Sequence, residues 1–215
     1  MEKKSKVFFQ PWIGPDYDKD GFEGKRVLVL GHSYPCNESS ITQTCENCGF
    51  IPLIPSCCNT TIDSINGYFK GDLKNRHANT FRSFEKALTR KEDSNVWNKL
   101  LFYNYIQKGF VSKDDNRTGK CPMSYYRFSF EPLVNVLIQY QPQYVIVWGR
   151  PNHDSIIKLF KDNGYKVESF NDGNDFVYEK IEINNFSTYF LRMQHPSQGY
   201  NPSHWNERIN KFLSL

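Results

Sequence analysis

Apolar and polar positions alternate along this chain with two clear periods, and the change from one to the other marks the elements. "RVLVLG" is an unbroken apolar run stopped by glycine, which predicts a buried parallel strand over 26–30. That strand delivers residues 31–35, "GHSYP", to its carboxyl end. "TFRSFEKALTRK" spaces Phe81, Phe84 and Leu88 on one helical face. "VWNKLLFYNYIQ" is apolar and aromatic, yet it carries Asn104 and Gln107. "SKDDNRTGKCPMS" is a polar, turn-rich excursion, and "FEPLVNVLIQYQP" predicts a helix closed by Pro142.

The second half continues the alternation. "YVIVWG" is the clearest strand, again ending on glycine, and "DSIIKLFKDNGY" predicts an amphipathic helix that stops near Gly164. "KVESF", "FVYEKIEI" and "TYFLRMQ" read as strands, and "SHWNERINKFLSL" as a closing helix with Trp205, Ile209, Phe212 and Leu213 on one face. Strands alternating with helices predict an α/β fold: a three-layer α/β/α sandwich with a mainly parallel four-stranded central sheet. No internal repeat or linker is visible, so residues 1–215 are expected to form one domain.

Composition changes this picture little. Hydrophobic residues make up 39%, but 17 Phe, 13 Tyr and 4 Trp supply a large buryable area. A net charge of +4 permits a polyanionic partner without demanding one. The N-terminal segment lacks the apolar run of a signal peptide, and no stretch reaches the roughly 20 apolar residues of a membrane span. A cytoplasmic protein without membrane contact is expected. The sequons at Asn37, Asn59, Asn116 and Asn185 then follow from an Asn-rich chain.

Five of the six cysteines crowd into one stretch: Cys36, Cys45, Cys48, Cys57 and Cys58. Cys45 and Cys48 have the C-x-x-C spacing with which two thiolates grip one metal ion. Partners among Cys36, Cys57 and Cys58 would complete a structural zinc site; the alternative is a loop of reduced thiols. No cofactor is required by any other feature.

In parallel sheets ligands bind where strand carboxyl ends meet loops. Three segments bring unusual polar residues there: Gly31-His32-Ser33, the Asn104 region, and His195-Pro196-Ser197. The glycine opening the first loop suits close approach of a ligand to backbone amides.

Taken in order, "VLVLGHSYP", "LLFYNYIQ", "YVIVWG" and "FLRMQHPS" resemble the motifs of the uracil-DNA glycosylase superfamily, across roughly residues 25–215. The resemblance implies hydrolysis of the bond between a base and deoxyribose in DNA, by a monomer whose partner is DNA carrying a damaged or deaminated base. It assigns His195 as the donor to the base O2, where negative charge collects, and Asn104 as the carboxamide that reads the base edge. Gly31 and Tyr34 would be further pocket contacts. Ser197, Gly199 and Tyr200 match the loop that presses on the phosphates, with Tyr200 as the wedge filling the gap left by a flipped base. Phe50 is the candidate stacking ring. The family's water-activating Asp or Asn is replaced by Ser33, and its proline by Tyr34; His32 is then placed to orient or deprotonate a water.

Two other readings compete. "GHSYP" resembles a nucleophile elbow, with Ser33 as nucleophile and His195 as base, although Pro35 stands where that turn needs glycine. A non-catalytic nucleic-acid-binding relative on the same fold would also fit the altered first motif.

Overall fold

The computed structural model describes residues 7–33, 59–107 and 121–215. Its strands are β1 (Trp12–Ile13), β2 (Val27–Gly31), β3 (Leu101–Asn104), β4 (Tyr144–Trp148), β5 (Val167–Asn171), β6 (Val177–Ile183) and β7 (Phe186–Met193). The helices are α1 (Thr60–Lys70), α2 (Asn75–Thr89), α3 (Met123–Tyr140), α4 (Arg150–Asp162) and α5 (Pro202–Leu213), with a 3-10 turn at Ser94–Lys99.

The sheet has seven strands in the order β1-β3-β2-β4-β7-β6-β5. This corrects the expected four-stranded parallel sheet: the architecture is α/β, but the sheet is larger and mixed. The parallel part is β3-β2-β4-β7, in register through Val29↔Phe102, Val29↔Ile146 and Ile146↔Leu191. Antiparallel β6 and β5 extend one edge, and β1 the other. The reason is connection length. A parallel strand needs a long crossover, whereas β6 returns into β7 through a turn at Asn184, whose φ of 50° suits a tight hairpin.

Every residue of β2 and β4 is buried, because helices lie on both faces of the sheet. Leu28, Leu30, Val145 and Val147 face α3 and α4, packing against Leu133, Leu137, Ile156 and Phe160. Val27, Val29, Ile146 and Trp148 face the other way, onto Ile65 of α1, Phe81 and Phe84 of α2, and Trp205, Ile209 and Phe212 of α5. The apolar face expected for the last helix is therefore the one that is buried. By contrast β6 alternates buried and half-exposed positions, as an antiparallel strand near an edge does.

Among the described residues no helix is long and apolar enough to cross a membrane.

Candidate functional site

The carboxyl ends of β2, β3, β4 and β7 lie along one rim of the sheet, because these strands are parallel. His32 and Ser33 follow β2, Asn104 ends β3, Gly149 and the first turn of α4 follow β4, and His195 follows β7. The structure thus gathers at one rim the residues that the motifs singled out, apart from those outside the described residues: Tyr34, Phe50, and the cysteine pair Cys45 and Cys48 with Cys36, Cys57 and Cys58.

Gly31 has a specific task. It pairs in register with Asn104, and a Cβ at Gly31 would stand 2.1 Å from the Asn104 Oδ1. Any side chain here would displace that carboxamide. The Gly31 carbonyl is also occupied, accepting from the Tyr105 amide at 3.0 Å and from Asn152 Nδ2 at 3.3 Å. The glycine therefore makes room for Asn104 from the adjoining strand, which differs from the expected approach of a ligand to its backbone.

Asn104 is only 5% exposed. Its backbone carbonyl accepts from Gln107 Nε2 at 2.9 Å, while Gln107 Oε1 accepts from the amides of Phe8 and Phe9 at 2.9 Å. The Gln107 amide in turn donates to Ser129 Oγ at 2.9 Å. Gln107 is thus a bolt that fixes the end of β3 to the N-terminal segment and to α3. With the backbone held, the Asn104 side chain has few positions to choose from.

His195 follows the last residue of β7 by two positions. Its Nδ1 accepts from the Ser197 backbone amide at 3.2 Å and lies 2.9 Å from Ser197 Oγ. A backbone N–H can only donate, so Nδ1 is bare and the ring proton sits on Nε2. One face of the ring is set by Trp148, edge to face at 5.7 Å. Burial, and then the neighbouring charge of His32, lower the His195 pKa to about 4. At neutral pH it is an uncharged imidazole with its Nε2–H free to donate.

His32 makes two contacts: Nδ1 to Ser33 Oγ at 2.9 Å, and Nε2 to the Tyr126 hydroxyl at 2.9 Å. Burial lowers its pKa too. The elbow reading required His195 beside Ser33. In the structure the imidazole on Ser33 is that of His32, and His195 Nδ1 is engaged by Ser197; among the described residues no hydrogen bond joins His195 to Ser33.

The loop after His195 is a tight turn, with the Gln198 amide donating to the His195 carbonyl at 3.0 Å. Ser197, Gln198 and Gly199 are exposed at its tip, and Gly199 has a φ of 54° that a side chain would strain. Tyr200 is turned inward. Its ring stacks on Trp205 at 6.3 Å and its hydroxyl approaches Met193 Sδ, so it anchors the loop in this conformation. The loop then runs into α5, where Asn201 caps the first turn by accepting from the Ser203 and His204 amides.

Three partner residues complete the rim, and of these only Trp148, in the Trp-Gly ending of "YVIVWG", carried a sequence signal. Tyr126 bonds His32 from α3, Trp148 positions the His195 ring, and Asn152 of α4 reaches back to Gly31. The Asn152 Oδ1 is buried with no partner among the described residues.

Among the described residues no group of three His, Cys, Asp or Glu side chains is arranged to hold a metal ion. The described Cys121 is half-buried, and burial pushes its thiol up to about 11. No protein-family model matches the chain, and no curated protein matches it significantly.

Proposed function

We propose that this α/β/α sandwich is a DNA glycosylase that hydrolyses the N-glycosidic bond of uracil or another deaminated base, acting on DNA as a monomer. One observation carries the reading: a neutral His195, its proton on Nε2, shares a rim with the buried carboxamide of Asn104 and the His32–Ser33 pair.

The spacing suits a single flipped base. Asn104 ends β3 and His195 follows β7, with β2 and β4 between them. Three strand spacings are about 14 Å. A base entering between Asn104 and His195 would have the carboxamide at one edge and the imidazole at the other. There Asn104 would satisfy O4 and N3–H of uracil through one carboxamide, a pairing that cytosine reverses.

As the bond from C1′ to the base breaks, its electron pair moves onto the base and collects at O2. The His195 Nε2–H donates to that oxygen, and a fixed donor of this kind contributes roughly 10²–10³ in rate. Water then adds to C1′ and its released proton balances the charge on the departing base. Ser33 is no general base, but its hydroxyl can orient that water. The exposed tip at Ser197, Gln198 and Gly199 would meet the phosphates, and Tyr200 could serve as a wedge only after leaving Trp205.

Incubation of the pure protein with a labelled uracil-containing oligonucleotide, followed by alkali, tests the reading; strand breaks at uracil are expected. An oligonucleotide left intact with uracil, hypoxanthine, xanthine and hydroxymethyluracil would remove the enzyme, and retained binding in those samples would favour the non-catalytic relative.

A further inference from the structure

The sheet face that carries α5 is not covered out to its edge. Phe212 of α5 packs edge to face on Tyr144 of β4 at 5.3 Å. From Tyr144 a ladder of aromatic rings crosses the strands, to Tyr189 of β7 at 5.8 Å and on to Tyr178 of β6 at 6.4 Å. It ends at Phe170 of β5, which is in register with Tyr178 and stacks on its ring at 4.8 Å and 12°. Burial fades along the ladder: Tyr144 is 7% exposed, Tyr189 and Tyr178 are half-buried, and Phe170 is 42% exposed. β5 is the edge strand, so among the described residues no strand lies beyond Phe170.

Basic side chains flank the rings. Arg208 and Lys211 stand with His204 on one side of α5, at the spacing of successive turns. Lys211 Nζ sits 4.5 Å from the centre of the Phe176 ring and 3.0 Å from Asp172, while Arg208 lies over Trp205 at 5.9 Å and donates to the Asn174 carbonyl. Both border the loop that joins β5 to β6 beside the ladder. Across the ladder Lys180 is in register with Tyr189 and shares a face of β6 with Tyr178, two residues away. The carboxylates of this face, Glu168 and Glu182, are both held by Lys166. His195 belongs to the same face, because its ring meets Trp148 in the cluster that Tyr178 packs against. From β7 to β5 is two strand spacings, about 10 Å or roughly three base steps.

We propose that Phe170, backed by Tyr178, is a stacking platform for a base of single-stranded DNA near the flipped nucleotide, with Lys211 and Arg208 on the adjoining phosphates. This rests on the reading of the rim as a place that holds DNA. A base laid on the outer face of Phe170 extends the ladder by one ring, and a phenyl ring with no polar atom accepts any of the four bases. A base inside a duplex is already stacked on both faces, so the platform suits an unpaired strand. The Lys211–Asp172 pair is open to solvent, with the two side chains 58% and 32% exposed, and exchanging that carboxylate for a phosphate costs little. A ring pair that only stiffened the sheet edge would need an apolar contact on Tyr178 but no aromatic face.

The test uses the intact protein and a labelled single strand of about 16 nucleotides without uracil. Phe170→Leu keeps the apolar contact on Tyr178 and removes the ring; affinity should fall roughly tenfold, while Phe170→Trp should bind within about twofold of the wild type. Lys211→Gln should reduce the slope of log affinity against log salt by about 0.7, as the loss of one phosphate contact does. Lys158→Gln, on α4 against the opposite face, should leave that slope unchanged. Wild-type affinity in Phe170→Leu, an equal loss in Phe170→Trp, or no binding by the wild type would overturn the proposal. So would self-association in sedimentation that Phe170→Leu abolishes at constant oligonucleotide affinity, which would give the rings to a protein partner. The two readings fail separately. A wild type that binds the strand through Phe170 but excises no uracil sinks the glycosylase and leaves the platform; excision with binding indifferent to Phe170 does the reverse.

Discussion

His195 and Ser33 differ in what each can offer the reaction, and that difference orders their variants. In the proposed reaction the bond to the base breaks before water adds, so stabilising the anion at O2 would outweigh orienting the water. His195→Ala is expected to lose more single-turnover rate than Ser33→Ala, roughly 10²–10³ against about tenfold. The reverse order would contradict the role given to His195. Protonation adds a second expectation. Burial lowers His32, and His195 titrates at about 4, so His195 gains no proton between about pH 8 and 5. Excision should be flat across that range, and an inflection near the ordinary value of 6.5, lost in His195→Gln, would count against a neutral donor. The sign for stability follows from the same shifts. Below about 6.5 the unfolded chain takes up protons that these folded rings refuse, so their contribution to stability falls with pH until His195 itself titrates near 4. Gly31→Ala is the sharpest steric test. Its Cβ would collide with Asn104 Oδ1, and base selectivity should be lost in a protein whose circular dichroism is unchanged.

At the scale of elements, α4 matters most, since its first turn supplies Asn152, which reaches the Gly31 carbonyl. Helix and sheet are joined by a buried ion pair: His153 Nε2 lies 2.7 Å from Glu179 of β6, and His153 Nδ1 lies 3.1 Å from Asp154. Burial would lower the His153 pKa, but hydrogen bonds from its ring to Asp154 and Glu179, and their charges, carry it above 6.5. Stability from this pair is therefore complete below about 6.5 and declines as pH rises through the elevated value. Glu179→Ala leaves a buried imidazole without its carboxylate and should cost about 3 kcal/mol in chemical denaturation near neutral pH. A change under about 1 kcal/mol would mean that α4 is fixed by packing alone. On the opposite face Glu85 plays a similar part in α2, accepting from Trp97 Nε1 at 2.8 Å and from the Asp93 amide at 3.0 Å.

At the scale of the molecule, the four parallel strands and the antiparallel edge do different work. β3, β2, β4 and β7 share one direction, so their loops open on one rim and the site can form there. The antiparallel β6 and β5 bring no residue to it; they carry Glu179 under α4 and extend the sheet that both core clusters share. Because those clusters meet through the same strands, tryptophan fluorescence and far-ultraviolet circular dichroism should report one coincident unfolding transition. Two separated transitions would divide the chain along the sheet instead.

The period of apolar residues by itself determined the strands of the parallel core, the α/β class, and the buried face of the last helix. A strand covered on both sides has to be apolar throughout, and "VLVLG" and "YVIVW" are. The order of the motifs also pointed to Asn104, His195 and the Gly31-His32-Ser33 loop, because each interrupts an apolar run at its end. α1 was not legible: "TTIDSINGYFK" is rich in β-branched and turn-forming residues, and it becomes a helix by burying Thr61 and Ile65 against the sheet. Nor was the size of the sheet: "KVESF" and "FVYEKIEI" read as strands, but the pairing that joins them to the sheet is a contact the period does not specify, and β1, with two residues, is too short to have a period. The partners of each site residue lay still further from view. Tyr126 is 94 positions from His32, and Asn152 is 121 from Gly31. A hydrogen bond has a direction and a length but no sequence spacing, so only the folded chain could decide that the His195 proton sits on Nε2.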